Sequence, residues 1–295
     1  MTKTRLAIRA LRLALSGKNA DPIHDYDAAS ADYDAFFTRV MGVHSESALD
    51  QVSIRPGQTV IELACGTGHL TQAMSERMQW RGVIRAVDLS SGMLAIAREK
   101  VRPSTELDVS FTEGDMQQFL RAQPDGQADI VVCGWAICYA KPVALLRQIR
   151  RVLRPGGEVV IVETRADALA SLVTSLQQVF VDDPSLLTGL IRMSLPKNAQ
   201  VVARWFSRAG LTVTHTGEGS ETLPVVTPEA ALEWVQRSGA AAGFKDAIDS
   251  AREQEVLCRV RDALAEQAAS TAGLSLTHTF VVVTGVSPVD GEESS

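Results

Sequence analysis

Between residues 59 and 162 the sequence alternates between two periodicities, and this alternation restricts the fold more than any other feature. Short apolar runs rich in β-branched residues predict strands at 59–63, 83–87, 107–111, 129–133 and 158–162. Patterns typical of helices separate them, at 69–78, 91–100 and 142–153. Strands that alternate with helices form right-handed βαβ units around a parallel sheet. The strands are almost continuously apolar, as expected when helices cover both faces of the sheet.

After residue 163 the pattern changes. Helical segments are predicted at 166–182, 197–209 and 228–268, and two further strands at 211–216 and 276–285. The predicted fold class is therefore α/β, with a Rossmann-like, mostly parallel sheet of seven strands, helices on both faces, a helical N-terminal segment and helical insertions. The predicted organisation is an N-terminal helical segment or lid at 1–50, a main domain at 51–288 with insertions at about 166–196 and 228–272, and a disordered tail at 289–295.

Composition excludes several classes of function. The 295 residues carry a net charge of −6 that is spread along the chain, which argues against a nucleic-acid partner. The four cysteines form no CxxC pair and no Cys/His cluster with zinc-site spacing, so we expect reduced thiols and no metal. No run approaches 18 uncharged apolar residues. These features favour a cytoplasmic protein.

Residues 1–19 form a basic segment that contains Lys3, Arg5, Arg9, Arg12 and Lys18 and no acidic residue. Arg9 and Arg12 interrupt what would be the apolar region of a signal peptide, which excludes that interpretation. As a helix the segment is amphipathic. It packs on its own domain, is frayed in solution, or makes a peripheral contact with an anionic membrane surface, and the sequence favours the first two over the membrane contact.

The stretch "VIELACGTGHL" at 60–70 predicts a glycine-containing turn between the first strand and a helix. Small residues there let the backbone approach a ligand closely. Thr71 stands where a dinucleotide motif has its third glycine, which counts against a nicotinamide cofactor. Asp88 lies 20 residues after Gly68, at the end of the next strand. A carboxylate at that place can accept hydrogen bonds from both ribose hydroxyls of an adenosine.

Two further strand ends carry polar or aromatic residues. Asp115 follows the third strand, where a carboxylate could accept a hydrogen bond from an adenine amino group, and Met116 could pack on the ring. Gly134, Trp135 and Tyr139 follow the fourth strand. Ligands of open α/β sheets bind outside these carboxyl ends, so the residues mark one candidate site.

The motifs E-L-A-C-G-T-G, V-D-L-S, E-G-D-M, A-D-I-V-V-C and L-R-P-G-G-E occur in order over residues 55–165. This resembles the class I S-adenosylmethionine-dependent methyltransferases, in particular the group similar to the ubiquinone/menaquinone methyltransferases. The resemblance implies S-adenosylmethionine as cofactor and the following binding residues: Glu62, Ala64, Gly66 and Gly68 around the methionine end, Asp88 at the ribose, Leu89, Met93, Asp115 and Met116 around adenine, and backbone near Cys133. The family usually has glycine at position 64; alanine is expected to be tolerated if its φ is negative.

The acceptor site is expected to combine the N-terminal segment, residues 135–141 and the insertion after residue 163. Candidate general bases are His24, Tyr139 and Glu163, and candidate pocket residues are Tyr26, Tyr33, Trp135 and Phe180. Helical additions over the cofactor favour a small, largely apolar acceptor such as a metabolite, a quinone-like compound or a natural-product intermediate. A non-catalytic or repurposed member of the fold and an NAD(P)-dependent oxidoreductase are the alternatives. The sequence leaves the oligomeric state open.

Overall fold

The computed structural model describes residues 2–21, 23–270 and 273–289. The chain divides into two compact units. The first consists of Met1–Val40, Asp167–Arg192 and Ser220–His278, and the second of Met41–Ala166, Met193–Gly219 and Thr279–Ser295. The predicted tail at 289–295 lies outside the described residues, except for Val289.

The strands are β1 (Thr59–Leu63), β2 (Gly82–Asp88), β3 (Leu107–Glu113), β4 (Ala128–Gly134), β5 (Leu153–Thr164), β6 (Thr212–Thr222) and β7 (Thr277–Val286). They form one seven-stranded sheet in the order β3-β2-β1-β4-β5-β7-β6. Neighbours from β3 to β5 are parallel, and β7 runs antiparallel to β5. The predicted α/β class and mostly parallel sheet are confirmed.

The α-helices are, in chain order, α1 (Thr2–Ser16), α2 (Ile23–Tyr33), α3 (Arg39–Leu49), α4 (His69–Arg77), α5 (Ser91–Lys100), α6 (Met116–Ala122), α7 (Pro142–Val152), α8 (Ala170–Asp182), α9 (Ala199–Ala209), α10 (Pro228–Arg237), α11 (Phe244–Ala247) and α12 (Glu253–Ser270). A short π-helix at Asp34–Thr38 joins α2 to α3. The predicted helices at 69–78, 91–100, 142–153 and 197–209 correspond to α4, α5, α7 and α9.

The core of the second unit lies between the sheet and the helix pair α7 and α9. In α7 the buried residues recur at helical spacing, from Leu145 and Leu146 to Ile149 and Val152. In α9 the fully buried Phe206 belongs to the same apolar cluster. This core fixes β4 and β5, whose carboxyl ends border the candidate site.

Two strands, β5 and β6, differ from their predicted bounds by more than two residues. The sequence indicated a turn at Pro155–Gly157 and a strand from residue 158, whereas β5 begins at Leu153 and contains this turn. The register with β4 shifts between Ala128 and Ile130, so the extra residues form an irregularity within the strand. β6 extends to Thr222 rather than residue 216, because "GEGSET" continues an edge strand with alternating burial instead of ending it.

The first unit is helical. Its helices α8 and α12 contact each other, and α8 also contacts α1. The Trp234 indole Nε1 donates a hydrogen bond of 3.1 Å to the Phe36 carbonyl, which ties α10 to the π-helix. The predicted helical region 228–268 is divided into three helices, and Gly239 and Gly243, both at positive φ, separate α10 from α11. In the described part of the chain no helix is long and apolar enough to cross a membrane.

The unit boundary near the N-terminus falls after Val40, whereas the predicted N-terminal segment extends to residue 50. Residues 41–49, the main part of α3, belong to the unit that contains most of the sheet. The proposed lid role of the N-terminal segment stays a prediction.

Candidate active site

The loop after β1 visits the left-handed region three times. Ala64, Gly66 and Gly68 have φ values of +55°, +53° and +78°. A Cβ at Gly68 would lie 3.0 Å from the Cα and Cβ atoms of Ala97, so helix packing requires glycine there. A Cβ at Gly66 would meet nothing within 4 Å. The backbone at Gly66 therefore faces open space, which a ligand can enter.

Ala64, where the related family usually has glycine, has a positive φ. Its φ of +55° places an alanine in a conformation that costs about 1–2 kcal/mol for a residue with a Cβ. The condition under which alanine was expected to be tolerated, a negative φ, is therefore not met. The loop keeps the left-handed conformation that glycine would adopt freely, and the side chain is accommodated at a cost in backbone energy.

Asp88 connects the ends of three neighbouring strands. Its Oδ2 atom accepts a hydrogen bond of 2.8 Å from the backbone N–H of Gly66, and Oδ1 accepts one of 2.9 Å from Ser90. Its carbonyl oxygen accepts a hydrogen bond of 2.9 Å from Gly114 N–H, in the turn after β3. Ser90, not Asp88, is the N-cap of α5, since its hydroxyl oxygen accepts from Met93 N–H. Asp88 thus holds the glycine-containing loop against the edge at which β2 ends.

Glu62, on β1, is a buried carboxyl group. It is 2% exposed, and the Thr71 hydroxyl donates a hydrogen bond of 2.5 Å to its Oε2 atom. Burial, with a smaller contribution from the nearby Asp88 carboxylate, raises the pKa of Glu62 to about 8. The sequence marks Thr71 only as a replacement of the third glycine and does not predict this contact. A buried carboxyl group needs a hydrogen-bond donor. A hydroxyl-bearing residue on the helix that follows β1 is the feature of the sequence from which this contact could have been predicted.

The residues predicted around adenine occupy the ends of β2 and β3. Asp115 is the N-cap of α6, and its Oδ1 atom accepts hydrogen bonds of 3.0 and 2.9 Å from Gln117 and Gln118 N–H. Met116 is half-buried against the core, whereas Leu89 is 44% exposed. Met93 is buried on α5.

Cys133 is fully buried on β4, where it lies between Leu63 of β1 and Ile161 of β5. Burial raises the pKa of its thiol far above the usual range, so it stays protonated at neutral pH. Any contribution of this residue to cofactor binding therefore comes from its backbone and not from a thiolate.

Trp135 follows β4 and anchors an aromatic cluster. Its indole Nε1 donates a hydrogen bond of 2.8 Å to the Ser45 hydroxyl, although φ at Trp135 is +59°. Its ring meets Phe280 edge-on, with centroids 5.8 Å apart, and the His44 ring lies 4.7 Å from the same phenylalanine. The sequence predicted Trp135, but it did not predict Ser45, Phe280 or His44, which lie on α3 and β7.

Glu163, at the end of β5, is 1% exposed. Its Oε2 atom accepts a hydrogen bond of 2.9 Å from Cys138 N–H, and Oε1 accepts one of 2.7 Å from Thr164 N–H. Burial outweighs these bonds and raises the pKa of Glu163 to about 7. The carboxylate therefore holds the short 3₁₀-helix that carries Tyr139, which is half-buried against the core.

The remaining predicted acceptor-site residues belong to the first unit. His24 is exposed on α2, and Tyr33 lies 5.1 Å from the Phe37 ring. The ring of Tyr26 lies so close to Gly239 that a Cβ there would be 2.6 Å from its Cε1 atom. Phe180 is buried on α8. Their catalytic and pocket roles stay predictions.

Within the second unit, the structure brings the predicted cofactor residues together at the carboxyl ends of the parallel strands. Gly66 and Asp88 are joined directly, Glu62 lies one residue from the end of β1, and Asp115 follows the end of β3. Among the described residues there is no group of three or more His, Cys, Asp or Glu side chains placed to hold a metal ion.

Comparison with known proteins agrees with this geometry. The family described as "Methyltransferase domain" matches residues 60–157. A demethylmenaquinone methyltransferase of Shouchella clausii is 29% identical over 120 residues, which are 40% of this chain and 50% of that protein. The ubiquinone/menaquinone biosynthesis C-methyltransferase UbiE of Shewanella frigidimarina is 31% identical over 154 residues, 50% of this chain and 60% of that protein. The chain thus spans between half and three fifths of the length of these relatives.

A solved structure shows the same fold. The phosphoethanolamine N-methyltransferase 2 of Haemonchus contortus, in complex with phosphomonomethylethanolamine and S-adenosylhomocysteine, superposes with a TM-score of 0.53 at 19% identity. The match covers 89% of this chain and 57% of that one. At this identity the likeness concerns the fold alone.

Proposed function

Because residues 60–157 form a class I S-adenosylmethionine-dependent methyltransferase domain, we propose that the chain transfers a methyl group from this cofactor to a small, largely apolar acceptor. The observation that carries the proposal is the bond between Asp88 and the backbone of Gly66 at the strand ends. This bond places a carboxylate beside Gly66, where a Cβ would meet no atom within 4 Å and a ligand can therefore approach the backbone.

The residues at this edge fit the chemistry of the cofactor. Asp88 accepts the ribose hydroxyls, and its present bonds to the Gly66 and Ser90 backbones hold it at the end of β2. Gly66 lets the loop approach the homocysteine part closely. Glu62 binds the amino group of the methionine part. A cation next to this buried carboxyl group favours its ionised form, and the two groups then form a buried ion pair. The Asp115 side chain is held in place as the α6 N-cap, and in this proposal it accepts a hydrogen bond from the adenine amino group.

When bound, S-adenosylmethionine supplies a sulfonium methyl group that a nucleophile can displace in line. The chain therefore has to provide orientation, exclusion of water and, for a hydroxyl or carbon acid, removal of a proton. Orientation comes from strand ends fixed by the α7 and α9 core. Water is excluded by the apolar residues around Trp135 and Phe280.

The aromatic cluster supports the proposal that the acceptor is apolar. Trp135, after β4, and His44, on α3, are half-buried and pack on the buried Phe280 of β7. A flat apolar ring is complementary to the exposed parts of the Trp135 and His44 rings. The names of the two curated relatives point to quinone-type rings, and we propose this chemical class for the acceptor.

Glu163 acts in this proposal as a positioning residue and not as a base. Its oxygens accept hydrogen bonds from the Cys138 and Thr164 backbones, and a carboxylate that holds a turn is poorly placed to move toward a substrate proton. It fixes the 3₁₀-helix that carries Tyr139, which remains the candidate base of the second unit.

Cofactor binding tests the first part of the proposal. S-Adenosylhomocysteine at about 100 times its Kd should stabilise the folded protein by about 2.7 kcal/mol in thermal unfolding, and NADH should have no effect. Gly66→Ala should keep the fold but weaken binding at least about tenfold, because the new Cβ occupies the open space. Asp108→Asn, a change of an exposed carboxyl group on β3, is the control that leaves affinity unchanged. Stabilisation by NADH alone would refute the proposed cofactor.

Acceptor class is tested separately, with radiolabelled methyl transfer to quinols, to simple phenols and to small amines. Transfer to the quinols and a loss on Trp135→Ala support the apolar site. Transfer restricted to amines contradicts the acceptor but not the cofactor. Tight cofactor binding without transfer to any acceptor would favour a repurposed member of the fold.

A further inference from the structure

Helix α1 has apolar residues on two opposite sides. Leu13 is 5% exposed and Leu6 is half-buried, and this side of α1 packs within the first unit, where the helix contacts α8. On the other side Ile8, Leu11 and Leu15 are 48%, 60% and 81% exposed. Exposed apolar residues are common singly, but three at helical spacing on one side form a continuous stripe. Packing of the helix on its own unit therefore leaves a second apolar side uncovered.

Charged residues border this stripe. At about 100° per residue, Leu11, Leu15 and Ile8 occupy an arc of about 60°, which the small residues Ala7 and Ala14 widen to about 120°. Arg5 and Arg12 follow the arc on one side, and Lys3 lies on the other. All three cationic side chains are exposed.

The positive charges of this N-terminal segment are not balanced by acidic residues within it. No acidic residue precedes Asp21 in the sequence. One cation, Arg9, has a structural use, since its Nε donates a hydrogen bond of 2.8 Å to the Leu187 carbonyl. The exposed cations thus lie along the borders of the apolar stripe, whereas Arg9 lies on the side of α1 that packs within the first unit.

We propose that α1 is an interfacial helix that docks the chain on an anionic lipid surface. The stripe of Ile8, Leu11 and Leu15 would enter the boundary between headgroups and acyl chains, and Arg5, Arg12 and Lys3 would meet the lipid phosphates. The 15 residues of α1 are about 22 Å long, which suits a helix that lies in the membrane plane rather than across it.

Charge distinguishes a lipid surface from a second copy of this chain. A symmetric dimer through the stripe would place the basic borders of the two α1 helices next to each other, and like charges at an interface are unfavourable. An anionic bilayer offers an apolar acyl-chain region to the stripe and negatively charged headgroups to the cations on both borders of the stripe. The docking also requires no cofactor, so it can be tested independently of methyl transfer.

The test uses the full chain and sedimentation with vesicles. Vesicles of phosphatidylcholine with about one quarter phosphatidylglycerol should retain the protein, and vesicles of phosphatidylcholine alone should retain much less. Arg5→Gln with Arg12→Gln should weaken binding to the anionic vesicles about 25-fold, at about fivefold for each cation. Leu11→Ser with Leu15→Ser should weaken it at least about tenfold.

Matched controls lie elsewhere on the chain. Val226→Ser changes an apolar residue that is 82% exposed, and Lys197→Gln with Arg204→Gln removes two exposed cations; neither should alter vesicle binding. Circular dichroism checks that each variant is folded. Equal binding by wild type and the α1 variants overturns the proposal. So does equal binding to both vesicle types, or a wild-type dimer in light scattering that the Leu11 and Leu15 changes convert to monomer.

Discussion

The substitution Glu163→Gln separates a buried positioning carboxylate from a catalytic one, and its effect on stability can be worked out from the structure. The group is 1% exposed, and its pKa in the folded protein is about 7 against an ordinary value of 4.5. Below pH 4.5 the carboxyl group is protonated in both states and contributes no pH dependence. As pH rises further, the unfolded chain releases the proton first, so ionisation favours unfolding.

The magnitude follows from the difference of 2.5 pH units between the two pKa values. At about 1.36 kcal/mol per unit, the wild type loses about 3 kcal/mol of stability through this group, and most of that loss falls between pH 5 and pH 8. Glutamine does not titrate, and its amide places an N–H₂ group opposite one backbone donor, which costs about 1–3 kcal/mol at every pH. The variant is therefore less stable than the wild type at pH 5 and recovers most of this pH-dependent difference relative to it by pH 8.

Urea denaturation from pH 5 to pH 8 measures this difference. Glu113→Gln, which changes an exposed carboxyl group on β3, controls for the loss of one negative charge. In methyl transfer, Glu163→Gln should retain substantial kcat at neutral pH, since the amide oxygen still accepts one of the backbone bonds. A stability difference that does not vary with pH would refute the raised pKa, and a loss of kcat of about 10³ or more in a folded variant would show that Glu163 is a base.

Four further predictions concern residues at the other strand ends and the side chains that contact them. Ala64→Gly should raise the free energy of unfolding by about 0.5–1 kcal/mol in urea, because relief of about 1–2 kcal/mol of left-handed strain exceeds the added freedom of the unfolded chain; a destabilised variant would contradict the strain. Thr71→Val should destabilise by about 1–2 kcal/mol through loss of the donor to Glu62, and Thr71→Ser should restore most of it. Trp135→Phe should cost about 1 kcal/mol, because it removes the hydrogen bond to Ser45 but keeps the ring; no change in urea would show that this bond is weak. Cofactor binding at pH 7 should release up to about one proton as Glu62 ionises beside the bound ammonium group, seen by calorimetry in buffers of different ionisation enthalpy; no release, or release retained in Glu62→Gln, would contradict this assignment.

The central strands could be predicted to within about two residues because burial on both faces makes them continuous apolar runs with polar boundaries. The errors occurred where a turn motif lies inside a strand. Pro155–Gly157 has the composition of a loop, yet pairing of Leu153 with Ala128 extends the ladder past it. Local turn chemistry competes with tertiary pairing at such places, and only the partner strand decides the outcome.

The cofactor side of the site could be predicted further than the acceptor side for a related reason. Asp88 ends a strand, and Gly66 and Asp115 each lie just after one, so their place at the edge of the sheet follows from topology. The aromatic cluster instead joins Trp135 to Ser45, 90 residues earlier, and to Phe280 on the antiparallel strand. Neither partner stands next to a recognisable motif, and only the three-dimensional fold brings them together.

Ala64 shows how the surrounding structure imposes a conformation that its sequence disfavours. The left-handed alanine costs about 1–2 kcal/mol. Three hydrogen bonds fix the loop around it: Cys65 N–H to the Val87 carbonyl, Gly66 N–H to Asp88, and Gly68 N–H to the Cys65 carbonyl. At about 1 kcal/mol each, and more for the bond to a carboxylate, they outweigh the strain. The loop can therefore keep the geometry that a cofactor needs even without glycine at position 64, and the penalty falls on stability rather than on the shape of the site.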